Sequence, residues 1–189
     1  PLQSNNKNDN NNKMNNIGVI GGNGYTICSG SWDETIRIWD IETTKQLNIF
    51  KEHESPVNSV KYGPNELLNI ILSGSDCVRL WDIRSNQKIQ KFNGHKYCVI
   101  YVEYSPFVIK NSIGNSNVIC SGSEDNTICF WDIRSNKNKL YMIKGDNNED
   151  GGILCLKFIE LKKKEKTKNV TYDLNLCYGS KKGPIRIWG

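Results

Sequence analysis

The sequence predicts an all-β fold assembled from one repeated four-stranded unit, and three observations carry that expectation. Val118 to Arg134 runs as an apolar stretch, a Ser-Gly-Ser step, a polar turn and a second apolar stretch closing on Trp-Asp, which is the pattern of a β-hairpin. The same phrase recurs at Ile27 to Glu42, Ile71 to Arg84 and Leu176 to Gly189, each time with a Gly-Ser pair ahead of a tryptophan. Those tryptophans, at 39, 81, 131 and 188, stand 42, 50 and 57 residues apart, against about 40 to 45 for a compact four-stranded repeat.

In chain order, residues 1–16 are dominated by asparagine and carry almost nothing apolar. Such a segment cannot bury enough surface to offset the entropy of ordering, so a disordered tail is expected, followed by a repeat domain over 17–189. Ile17 to Ile20 reads as a short inner strand and Gly21 to Gly24 as a hairpin turn; the glycines match neither the dinucleotide nor the Walker spacing. Tyr25 to Ser31 and Thr35 to Trp39 alternate apolar and polar as half-buried strands do, and Leu47 to Phe50 is the fourth strand. Val57 to Tyr62, Val99 to Tyr104 and the stretch from Ile153 to Phe158 then align as one inner strand used three times. The long periods come from insertions at Phe107 to Asn117 and Glu160 to Asp173, which loops tolerate because closure entropy rises slowly with length.

The phased copies Ser29-Gly30-Ser31…Trp39-Asp40, Ser73-Gly74-Ser75…Trp81-Asp82, Ser121-Gly122-Ser123…Trp131-Asp132 and Gly179-Ser180…Trp188, with Gly94-His95 opening one of them, resemble WD40 repeats over roughly Ile17 to Gly189. The resemblance implies a β-propeller, here of about four blades, in which each blade buries its faces only against its neighbours. The chain starts near an inner strand and stops at a third strand, so a partial or unclosed propeller is expected. Four blades closing as a small ring, two half-rings pairing as a homodimer, and additional blades from a longer chain all remain open.

Composition narrows the function. The 37% hydrophobic content suits a globular core, and no run of eighteen apolar residues or basic-then-apolar leader is present. The expectation is an intracellular protein, cytoplasmic with the nucleus also open, without a membrane partner. Of seven cysteines, Cys28, Cys120 and Cys177 share one repeat position and read as small buried hydrophobes. Cysteine spacing and only two histidines argue against a metal site, and no cofactor is expected. The formal net charge of +5 includes a lysine-rich stretch at 161–168, which offers a nucleic-acid-associated propeller as an alternative function. Its confinement to one loop, with Glu160 and Glu165 inside the insert, favours a solvated loop.

His, Ser and Asp gathered together suggest nucleophilic catalysis. The resemblance instead implies an internal hydrogen-bonded chain with the tryptophan, carried by His95, Ser121 or Ser123, Asp125 and Trp131. The same roles fall in part on Asp33 and Trp39 in the first copy and on His53 and Trp81 in the second. The second copy is two residues shorter between Gly-Ser and Trp, so its turn aspartate is expected to be lost or displaced. The last copy puts Asp146 in place of the histidine and Lys182 in place of the turn aspartate, leaving only the third copy with the whole network. No catalytic residue is assigned. The expected function is a scaffold or adaptor binding an unidentified protein or peptide through one end of the propeller. Mapped by the resemblance, that end carries Trp32, Glu34, Glu54, Lys96, Tyr97, Glu124, Asn126, Lys181 and Lys182, with Trp32 and Tyr97 as anchors because exposed aromatics are enriched among binding hot spots.

Overall fold

The computed structural model describes residues 25–64, 67–106, 117–135, 139–161 and 173–188. The expected tail, the Ile17 to Ile20 strand, most of the Phe107 to Asn117 insert and residues 162–168 of the lysine-rich loop lie outside these residues.

Among the described residues, fourteen strands form four antiparallel meanders. Sheet 1 contains β1 (Thr26–Gly30), β2 (Ile36–Asp40) and β3 (Gln46–Phe50). Sheet 2 contains β4 (Ser59–Tyr62), β5 (Ile70–Gly74), β6 (Val78–Asp82) and β7 (Gln87–Phe92). Sheet 3 contains β8 (Val99–Tyr104), β9 (Val118–Ser123), β10 (Thr127–Asp132) and β11 (Lys139–Lys144). Sheet 4 contains β12 (Ile153–Leu161), β13 (Asp173–Ser180) and β14 (Ile185–Trp188). The Glu160 to Asp173 insert is partly strand: β12 and β13 pair out to Leu161 opposite Asp173, so the hairpin grows by lengthening its arms.

Alternation in each strand gives every sheet two faces. In β5, Ile71 and Ser73 point one way with Trp81 opposite Ile71, while Leu72 and Gly74 point the other way with Leu80 and Val78. The tryptophan faces of sheets 2, 3 and 4 meet the other face of the sheet before them. Phe50 of sheet 1 lies 5.1 Å from Trp81 and Phe92 of sheet 2 lies 5.7 Å from Trp131. Three apolar clusters mark the three boundaries, with Ile36, Ile38, Ile71 and Ile83 in the first, Leu72, Val78, Ile119 and Trp131 in the second, and Cys120, Ile128, Leu156 and Leu176 in the third.

The glycine of the Gly-Ser step sits where adjacent sheets come closest. A Cβ on Gly74 would stand 2.8 Å from Val99 Cγ1, and one on Gly122 2.7 Å from Ile153 Cγ2. In the third copy the repeat cysteine, Cys120, is buried as expected, but Cys28 and Cys177 are only half-buried, the latter because it lies on the uncovered face of sheet 4. Sheets 1, 2 and 3 share a bulge just before the tryptophan, which leaves Leu47, Ile89 and Leu140 unpaired on the outer strands and exposed.

Candidate interaction face

The polar core of each repeat is a chain of donors and acceptors ending on the tryptophan. In sheet 3, Trp131 Nε1 donates to Ser121 Oγ at 2.9 Å, and Ser121 Oγ lies 2.8 Å from His95 Nε2. His95 Nδ1 lies 3.0 Å from Asp125 Oδ2, an acceptor, so Nδ1 carries the proton and Nε2 accepts from the serine hydroxyl. Asp125 also accepts from Lys96 N at 2.8 Å and from Thr127 Oγ1 at 2.6 Å. Ser123 stands outside this chain. It donates to Tyr97 O at 3.1 Å and accepts from Asp125 N at 3.0 Å, fixing the turn.

Sheet 2 holds the same chain, which corrects the expectation that only the third copy is complete. Trp81 Nε1 donates to Ser73 Oγ at 2.8 Å, His53 Nε2 lies 2.8 Å from that oxygen, and His53 Nδ1 lies 2.9 Å from Asp76 Oδ1. Asp76 stays in place because its shorter turn lacks one residue on each side of it: Ser31-Trp32-Asp33-Glu34-Thr35 becomes Ser75-Asp76-Cys77. The residue lost after the aspartate is the one with positive φ in the longer turns, Glu34 at 68° and Asn126 at 64°.

Sheet 1 keeps the Trp39 Nε1 to Ser29 Oγ bond at 2.9 Å, and Asp33 turns instead to Thr35 Oγ1 and Arg37, each at 2.6 Å. In sheet 4 Asp146 does not take the histidine's place. It is exposed and caps Asn148 N, and the buried acid is Asp150, bonded to Arg186 Nε at 2.8 Å and to Asp146 N at 2.6 Å. Arg79, Asp150 and Arg186 were the site residues hidden from sequence reasoning. Arginine at the second position of Ile-Arg-Ile-Trp, Val-Arg-Leu-Trp and Ile-Arg-Ile-Trp was the available signal.

Burial pulls both imidazoles below their usual pKa, with the neighbouring carboxylates opposing it. For Asp76 and Asp125 burial pushes upward, but hydrogen bonds, joined at Asp76 by the charge of Arg79, outweigh it and hold both carboxyls low. Ser73 and Ser121 have no exposed surface and each is held between a tryptophan and a histidine, so neither hydroxyl can reach a substrate. His53, Asp76 and Cys77 place possible ligand atoms within 4.8 Å of one another. The Arg79 guanidinium already occupies that cluster, donating to Cys77 Sγ and to Asp76 Oδ2, both at 3.2 Å. Burial pushes the Cys77 thiol up to about 11, so it is protonated at neutral pH.

Above these networks the hairpin turns and the loops between sheets interlock along one edge. Val57 N donates to Ser31 O at 3.0 Å, Val99 N to Ser75 O at 2.7 Å, Glu124 N to Cys98 O at 3.0 Å and Lys181 N to Gly152 O at 2.9 Å. Trp32, 86% exposed, and Tyr97, 66% exposed, both belong to this edge, and Trp32 does not fold back onto its own sheet. Glu34, Glu54, Lys96, Glu124, Lys181 and Lys182 are exposed beside them. Some of these are engaged internally: Glu124 pairs with Lys181 at 3.5 Å, and Lys182 Nζ donates to Asn148 O at 2.8 Å. Asn126 is half-buried and braces the next loop, donating to Asp146 O and accepting from Gly152 N. An open cleft of about 340 Å³ lies next to this turn, lined by Lys96, Lys139, Lys144, Asn126, Thr127 and Asn147.

The family described as WD domain, G-beta repeat matches residues 16–40, 44–82 and 86–132. Among curated relatives, the E3 ubiquitin-protein ligase COP1 of Arabidopsis thaliana is 28% identical over 63% of this chain and 17% of its own length. Protein tipD of Dictyostelium discoideum is 26% identical over 75% of this chain and 23% of its own. The chain thus spans about a fifth of the length of these relatives. The crystal structure of the computationally designed Ika4 protein superposes with a TM-score of 0.63 at 25% identity, covering 86% of this chain and 84% of that one. With the repeated tryptophan networks and stacked antiparallel meanders in place, the chain belongs to the WD40 repeat family.

Proposed function

We propose that this chain is a non-catalytic interaction platform that binds an extended segment of another protein along its interlocked turn edge. The observation that supports this reading most directly is the exposure of Trp32 and Tyr97 on an edge whose underlying polar groups are bonded to one another. Large rigid aromatics held on a preorganised scaffold bind with little loss of side-chain entropy. The three ammonium groups of the cleft beside Asp125 suit an acidic side chain of the bound segment. Seven unpaired thiols suit a reducing compartment, in keeping with an intracellular role.

Selection of a displayed random-peptide library on the folded chain tests this. Enriched peptides should bind Trp32→Ala and Tyr97→Ala at least ~10-fold more weakly, as truncation of a hot spot does, while the urea midpoint stays unchanged. Peptides that bind both variants as well as the parent chain would sink the reading.

A further inference from the structure

The three internal boundaries use the same repeat positions, and both halves of that boundary are uncovered at the ends of the stack. On the forward face, Ile36 and Ile38 of sheet 1, Val78 and Leu80 of sheet 2, and Ile128 and Phe130 of sheet 3 are buried under the following sheet. The equivalent residues of sheet 4, Ile185 and Ile187, are 75% and 69% exposed. Between them and β12 lies Gly179, the counterpart of Gly74 and Gly122. A Cβ there would meet only Cys155 Sγ of its own sheet, whereas theirs would meet the next sheet's valine or isoleucine.

The rear face shows the converse. Ile71 and Ile83 of sheet 2 and Ile119 of sheet 3 are buried against the preceding sheet. Their counterparts in sheet 1, Ile27 and Ile41, are 50% and 49% exposed. These exposures also show that sheets 1 and 4 of one chain do not close on each other.

We propose that two copies of this chain associate head to tail, the Ile27 and Ile41 face of each seated on the Ile185 and Ile187 face of the other. The complement of each open face is already present at the other end of the same molecule, in the residue classes that pack at every internal boundary. Because the two faces differ, the contact is heterologous and must close a ring to end. Two copies give eight sheets, within the usual propeller range of about four to eight, whereas three copies would exceed it. Apolar surface of this kind, continuous along a sheet face, marks a contact surface in a folded protein. The proposal is independent of the peptide-binding edge, which lies at the turns and not on the sheet faces.

Light scattering of the full chain at micromolar concentration should give the mass of two chains. Ile27→Asp and Ile187→Asp alter positions exposed in a single copy, so each should leave far-ultraviolet dichroism and a cooperative urea transition in place while reducing the mass to one chain. Mixing the two variants should restore a dimer, because the intact sheet 4 of one meets the intact sheet 1 of the other. A monomeric parent chain, a species larger than two, or a dimer that survives either substitution overturns the proposal. So does a mixture that stays monomeric, because one intact head-to-tail contact is then insufficient; like-to-like pairing of a single face is recognised instead by one of the two variants remaining a dimer on its own.

Discussion

His53 and His95 couple the turn edge to the core, because each buried imidazole bridges a turn aspartate and the serine under a tryptophan. Burial keeps both rings below their ordinary value of 6.5, so they fold neutral and gain protons on unfolding near that pH. Their contribution to stability is complete above 6.5 and is lost as the pH falls below it. Asp76 and Asp125, held below the ordinary 3.8, act in the same direction at lower pH: their contribution is present above 3.8 and is lost as the pH drops further. The urea midpoint should therefore decline first as the pH falls from about 7.5 to about 5 and again in the carboxylate range. A midpoint flat between the first two values would show that the imidazoles are not held neutral by the fold.

The hairpin with its glycine is the element that sets sheet spacing. Gly122→Ala brings a methyl against Ile153 on the next sheet, where both backbones are fixed by ladders, so it should cost about 1–3 kcal/mol as overpacking does. Equilibrium urea unfolding measures this, and a change within error would mean that sheet 4 moves freely against sheet 3. The glycine, the tryptophan and the strand alternation are local patterns, which is why the hairpins and their order were legible in the sequence. The network was legible only where turn lengths matched. At Asp76 a count of residues between Gly-Ser and Trp suggested a lost aspartate, because a count cannot reveal deletions balanced on either side of one residue. Asp150 was missed for a similar reason: sequence alignment put Asp146 opposite the histidine, and only the folded loop shows which of the two acids turns inward to meet Arg186.

At the scale of the molecule, each apolar cluster of the described residues joins one sheet to the next, so stability should follow a sum over sheets and boundaries. Ending the chain after Lys144 removes sheet 4 and its boundary, and leaves the Ile128 and Phe130 face of sheet 3 open just as Ile185 and Ile187 are open in the parent. The boundaries between sheets 1, 2 and 3 are untouched. In the Ile27→Asp background, which isolates a single copy, the shortened chain should keep one cooperative urea transition. Both its midpoint and its slope should be lower, since less surface is exposed on unfolding. Sheets 2 and 3 carry both complete histidine networks, so they form the segment on which such a shortened stack would rest. Loss of any transition would mean that the four sheets fold only together, and the stack would have to be treated as one cooperative unit whose end faces stabilise its middle.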